Sequence, residues 1–134
     1  MAEDNVDLVR SIYAGWERGD YSNVEWADPK IEFAFVDGPT PGSRTGVAEM
    51  AAAWRDALSA FDGLRAEAEE FISLDHERVL VPTRNTGRGH ASGVELGEMK
   101  TKGANLFQIR GGRVTRLALY WNRERAYADL GLSR

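Results

Sequence analysis

Apolar residues recur every three or four positions from Asp4 to Arg18. Val6, Val9, Ile12 or Tyr13, and Trp16 make one face, and Asp7, Arg10, Ser11, Glu17 and Arg18 the other. That period predicts an amphipathic helix, capped by Asn5 or Asp4 and stopped at Gly19-Asp20. Tyr21 to Trp26 reads as a short second helix, broken by Asp28-Pro29. Ile31 to Val36 then alternates as a strand does, and Asp37 to Gly42, with two Pro and two Gly, reads as a loop. Thr45-Gly46 opens another helix that runs to about Phe61, with Val47, Met50, Ala51, Trp54 and Leu58 as its apolar stripe.

From residue 64 onward the period shortens. Leu64 to Leu74 has helical propensity in Arg65-Ala-Glu-Ala-Glu-Glu, yet its alternation and its place in the chain favour a strand. Arg78 to Gly89 is a strand in which Pro82 predicts an edge or a bulge. His90 to Gly97 reads as a connection. Met99 to Arg110 and Arg113 to Trp121 flank Gly111-Gly112, and Gly-Gly accepts the positive φ of a tight hairpin turn. Asn122 caps a last helix, Arg123 to Leu130, closed by Gly131. Helices first and a run of antiparallel strands later predict one α+β domain over residues 1–134, with helices on one face of a curved sheet.

Composition narrows the possible functions. The 134 residues are 43% hydrophobic and 28% charged, the make-up of a soluble globular chain. A net charge of −4 argues against nucleic acid and anionic membrane as partners. The absence of cysteine excludes disulfides, thiol catalysis and thiolate metal sites. The start Met-Ala-Glu-Asp-Asn does not read as a signal peptide, and the default expectation is a cytoplasmic protein. His76 and His90 are far apart in predicted loops, so no metal site is expected. Neither Gly87-Arg-Gly89 nor Gly111-Gly112 leads into a phosphate-binding helix, and no cofactor is expected.

Five short motifs, in order, resemble the SnoaL-like group of the nuclear transport factor 2-like superfamily. They are Tyr13-Ala-Gly-Trp-Glu-Arg-Gly-Asp20, Trp26-Ala-Asp-Pro29, Gly42-Ser-Arg-Thr-Gly46, Thr86-Gly-Arg-Gly89 and Phe107-Gln-Ile-Arg-Gly-Gly-Arg-Val114. The resemblance implies a cone of helices and bent antiparallel sheet around a pocket, and a homodimer built on the outer sheet face. It also implies a hydrophobic, cyclic or polyketide-like small molecule as ligand, with isomerisation, cyclisation or hydration as the chemistry where there is any. The rival is a non-catalytic ligand-binding or dimerisation module, since fold does not fix activity.

Period two places Asn105, Phe107 and Ile109 on one hairpin face, and Leu117, Leu119 and Trp121 on one face of the other strand. Both sets are assigned to the pocket. Asn105 is then a carboxamide among apolar neighbours, able to donate to a carbonyl oxygen or oxyanion, or to satisfy a backbone group. Trp16, Trp26, Phe33, Phe35, Trp54, Phe107, Leu119 and Trp121 are the expected walls. Laid against ketosteroid isomerases, the oxyanion tyrosine falls on Ile12, with Tyr13 one residue away; the general-base aspartate falls on Ala34, and the second oxyanion residue on Asn105. Tyr13 is the candidate donor. Glu32 and Asp37 are the candidate replacement bases, each requiring burial to raise its pKa. Arg84 resembles the middle residue of the Asp-Arg-Asp set of limonene-epoxide-hydrolase relatives, but no two partner acids match. An ion pair of Arg84 or Arg88 with Glu95 on the outer face is the simpler expectation.

Overall fold

The computed structural model describes residues 2–18, 24–37, 42–91 and 94–132, with side chains over 4–18, 24–37, 42–56, 67–86 and 102–132. The elements run α1 (Ala2–Glu17), β1 (Ala27–Phe35), β2 (Gly42–Thr45), α2 (Val47–Ala60), β3 (Phe61–Ala68), β4 (Ile72–Ser73), β5 (Arg78–Ala91), β6 (Val94–Arg110), β7 (Arg113–Tyr120) and α3 (Arg123–Asp129). The expected α+β architecture is present: the described residues form three helices and one seven-stranded sheet in the order β2-β1-β7-β6-β5-β3, with β4 also on β5.

The sheet is not wholly antiparallel. β1 runs parallel to β7, with Phe33 beside Leu117 and Phe35 beside Leu119. Parallel neighbours need a long connection, and here most of the chain intervenes. Ala27 to Thr45 also differs from expectation. Val24 to Trp26 forms a turn, not helix, while the first half of the predicted second helix lies outside the described residues. β1 begins before Asp28-Pro29, and its register against β7 jumps between Ala27 and Glu32. Gly42 to Thr45, read as loop and helix start, is a short edge strand.

Pro82 sits inside β5, between two partners. β3 ends its pairing at Thr83, and β4 begins its pairing at Leu80. The missing N–H of Pro82 falls in that gap, while its carbonyl accepts from Glu69 N at 2.9 Å. At the hairpin, Gly111 and Gly112 take φ of 62° and 79°, the left-handed pair of a primed turn. The predicted connection from His90 is strand for the most part: β5 extends to Ala91 and β6 starts at Val94.

Alternation divides the core between the two faces of the sheet. Val79, Val81, Phe107, Ile109, Val114, Leu117, Leu119, Ile31 and Phe33 meet α1 and α2 on the inner face. Leu80, Ala104, Leu106, Ala118 and Tyr120 meet α3, through Ala126 and Tyr127, on the outer face. Asn122 caps α3 by accepting from Arg125 N at 3.2 Å, and Gly131 follows with φ 69°.

Candidate functional site

The inner face carries a continuous set of rings. Trp16, from α1, lies 4.9 Å from Tyr13, 5.3 Å from Trp54, 6.1 Å from Trp26 and 6.3 Å from Phe107, centroid to centroid. Phe33 continues the series to Trp54 at 5.4 Å and to Phe35 at 5.2 Å. Most of these contacts are edge-on, as ring quadrupoles prefer. Tyr13 and Trp16 point the same way because three helical residues nearly complete a turn. Seven of the eight expected wall residues, Trp16, Trp26, Phe33, Phe35, Trp54, Phe107 and Leu119, belong to or pack against this inner cluster.

Trp121 does not join them. β7 ends at Tyr120, so the period that carried Leu117 and Leu119 inward stops there. Trp121 is half-buried at a surface cleft with Pro82, Lys102, Arg123 and Tyr127. Phe71, which sequence reasoning passed over, takes a place edge-on to Tyr13 at 5.8 Å, with the Arg10 guanidinium over its ring at 4.8 Å. An aromatic opposite a helical stripe at the mouth of a strand was the available signal.

Two polar side chains meet inside this apolar set. Asn105 Nδ2 donates to the Tyr13 hydroxyl oxygen at 2.6 Å, and both residues are buried, at 6% and 1% exposure. Burial pushes the Tyr13 phenol far above its ordinary value, and the hydrogen bond from Asn105 only partly offsets this. The phenol is therefore neutral at any physiological pH. Because its oxygen accepts from Asn105, its own proton remains available to an acceptor. Of the two helix positions that the ketosteroid-isomerase pattern left open, Tyr13 reaches Asn105, and Ile12 is a buried core residue.

The two candidate bases are elsewhere. Glu32 is exposed on the face of β1 opposite Ile31 and Phe33, 3.6 Å from Arg116. It cannot act beside Tyr13, because alternation turns it to solvent. Asp37 is half-buried, and both its oxygens are engaged: Oδ1 accepts from Trp121 N at 2.5 Å and Oδ2 from Asn122 N at 3.3 Å. It ties the end of β1 to the junction of β7 and α3. Arg84 is exposed and pairs with Glu69 at 4.0 Å. The side chains of Arg88, His90 and Glu95 lie outside the described residues. His76 is exposed, and its carbonyl accepts from Asn5. Among the described residues no three His, Asp or Glu side chains converge as metal ligands, and no helix is long and apolar enough to cross a membrane.

The fold and the sequence together place this chain in a known class. It belongs to the SnoaL-like domain family, which matches residues 9–117. Its architecture is the nuclear transport factor 2-like fold. TerC, crystallised with polyporic acid, superposes with a TM-score of 0.73 at 20% identity, over 95% of this chain and 97% of that one. A nuclear transport factor 2-like protein of unknown function from Burkholderia pseudomallei gives 0.74 at 19%, over 93% and 95%. A candidate polyketide cyclase from Xanthomonas campestris gives 0.72 at 20%, over 94% and 96%. Among curated proteins, none matches the sequence. At such identities the likeness extends to the fold, and the chemistry has to be argued from this chain's own residues.

Proposed function

We propose that this chain binds a hydrophobic, cyclic small molecule against its aromatic inner face and anchors one oxygen of that molecule on the Tyr13 hydroxyl, with no cofactor. The observation that carries this reading is the buried 2.6 Å contact between Asn105 and Tyr13 within a cluster of aromatic rings. A solid core gains nothing from two polar groups placed there, since apolar residues of the same shape stabilise as well or better. A ligand oxygen gives the pair a use. Asn105 holds the phenol by its oxygen, so the O–H is directed outward from the amide. For a substrate with a carbonyl, that donor polarises the C=O, and where solvent water or hydroxide takes a neighbouring C–H proton it stabilises the enolate left behind. A positioned donor of this kind contributes roughly 3 kcal/mol to a transition state. Ketone isomerisation and aldol-type cyclisation pass through such an enolate; a hydrolase would instead turn the same donor on the oxygen of the bond it opens. The family, and a relative crystallised with polyporic acid, support a small-molecule ligand.

A second reading, a non-catalytic binding module, has its own support. Glu32 faces solvent and Asp37 is committed to backbone N–H groups, so neither serves as a base beside Tyr13. Titration with 1-tetralone, a bicyclic ketone, followed by tryptophan fluorescence tests both readings. Saturable binding weakened about tenfold in Tyr13→Phe supports the anchor. Exchange of the ketone's α-hydrogen with deuterated solvent, slowed in Tyr13→Phe, marks the enzyme. Binding without exchange marks the module, and no binding in the wild type ends the proposal.

A further inference from the structure

Two residues along β5 from Val81, the cross-strand partner of Asn105, lies Thr83. It is fully buried, and its hydroxyl has no hydrogen-bond partner among the described residues. A buried hydroxyl left unpaired costs about 1–3 kcal/mol, so a chain that keeps one has a use for it. Its backbone carbonyl is already taken, by Arg123 Nη2 at 2.7 Å. The side chain shares the inner face with Val79 and Val81 by alternation.

Thr83 stands opposite Gly103, which has no side chain. A Cβ at Gly103 would collide with the Tyr120 carbonyl oxygen, lie 2.7 Å from Asn85 Nδ2 and lie 3.3 Å from the Thr83 hydroxyl. Two side-chain polar groups therefore gather over this glycine, one buried and one, Asn85, half-buried. Thr83 and Asn105 are diagonal neighbours across β5 and β6, about 7–8 Å apart at Cα. Both side chains rise from the inner face of the sheet.

We infer that Thr83, flanked by Asn85 over Gly103, is a second polar contact for the bound molecule, and that the ligand is a ring ketone with a second oxygen across the ring. This rests on the proposed function, since Tyr13 takes the first oxygen. The Thr83 hydroxyl both donates and accepts, so a hydroxyl or a carbonyl fits it. A site built to bond an oxygen discriminates against the analogue lacking it, because its own polar group is then left unpaired.

Calorimetric titration with 1-tetralone and 4-hydroxy-1-tetralone, which differ by one hydroxyl, tests the inference. The wild type binds the hydroxylated ketone about tenfold more tightly. Thr83→Val removes that preference, so that the two ketones bind alike, while Thr83→Ser keeps it. Thr83→Val melts no lower than the wild type, since it removes an unpaired group. A wild type without preference, a Thr83→Val variant that retains it, or an equal loss of both ligands overturns the second contact alone. Failure of the wild type to bind either ketone overturns the proposed function, and the second contact falls with it.

Discussion

Tyr13 and Asn105 are each other's buried partner, so removing either strands the other. Tyr13→Phe leaves the Asn105 amide without its acceptor, and Asn105→Ala leaves a phenol oxygen unpaired. Each costs about 1–3 kcal/mol in denaturant unfolding, and the double variant costs less than the sum. The raised Tyr13 pKa adds a pH signature. The folded protein holds the phenolic proton more tightly than the unfolded chain, so this contribution is complete below about pH 10 and is lost as the pH rises above it. Stability falls there by up to about 1.4 kcal/mol per pH unit for this proton. Tyr120, also raised by burial and then by Asp129, adds to the fall, so the test is the difference between wild type and Tyr13→Phe, which has the shallower alkaline slope. At this scale the sequence was partly readable. Period two was enough to turn Asn105 inward, and period 3.6 left Ile12 and Tyr13 both facing the core. The fate of Asp37 was not readable, because its partners are backbone groups 84 and 85 residues away, which no local pattern encodes.

Among the elements, α3 and the end of β6 are the most specific. Arg123 donates through Nε to the Gly103 carbonyl at 3.1 Å and through Nη2 to the Thr83 carbonyl and Glu69, both at 2.7 Å. One side chain thus fixes α3 to β5, β6 and the segment after β3. Arg123→Ala frees two carbonyls and is expected to cost about 2 kcal/mol or more in chemical denaturation. Arg123→Lys recovers only part of this, since an ammonium lacks the fork geometry. The Arg123 bond also holds the Glu69 carboxyl below its usual range. Its contribution is present above the ordinary glutamate pKa and fades as pH falls through the folded value, so Arg123→Ala weakens the acid dependence. Gly103→Ala drives a Cβ against the Tyr120 carbonyl and the Asn85 amide. Such overpacking costs about 1–3 kcal/mol, read as a lower melting temperature. Strong local signals made the first helix, the Gly111-Gly112 hairpin and the capped last helix legible. The parallel β1–β7 pairing was not, because it joins strands from the two ends of the chain and leaves no mark on either.

Across the whole molecule, one sheet separates two cores, and only the inner one holds the polar pair. A dimer through the outer face would meet α3, since Ala118 and Tyr120 lie beneath it and the Tyr120 hydroxyl donates to Asp129 at 3.1 Å. Tyr120→Asp would therefore unsettle the single chain before it tested any assembly. The division predicts that stability and binding come apart. Leu80 is fully buried in the outer core, with Leu106 and Tyr120 in the same cluster. Leu80→Ala should cost about 2–5 kcal/mol, a large share of the roughly 5–15 kcal/mol of a typical domain, with no change in the 1-tetralone dissociation constant. Trp54 is half-buried in the inner set, beside Trp16 and Phe33. Trp54→Ala should weaken 1-tetralone binding and, as a large side chain packed among rings, should itself cost about 3–5 kcal/mol of stability. Thermal shifts with and without the ketone measure both at once, since a ligand at a hundred times its dissociation constant adds about 2.7 kcal/mol to the folded state. A full ligand-induced shift in Leu80→Ala and a reduced one in Trp54→Ala places the ligand on the inner face; the reverse places it under α3 and removes the role given to Tyr13 and Asn105.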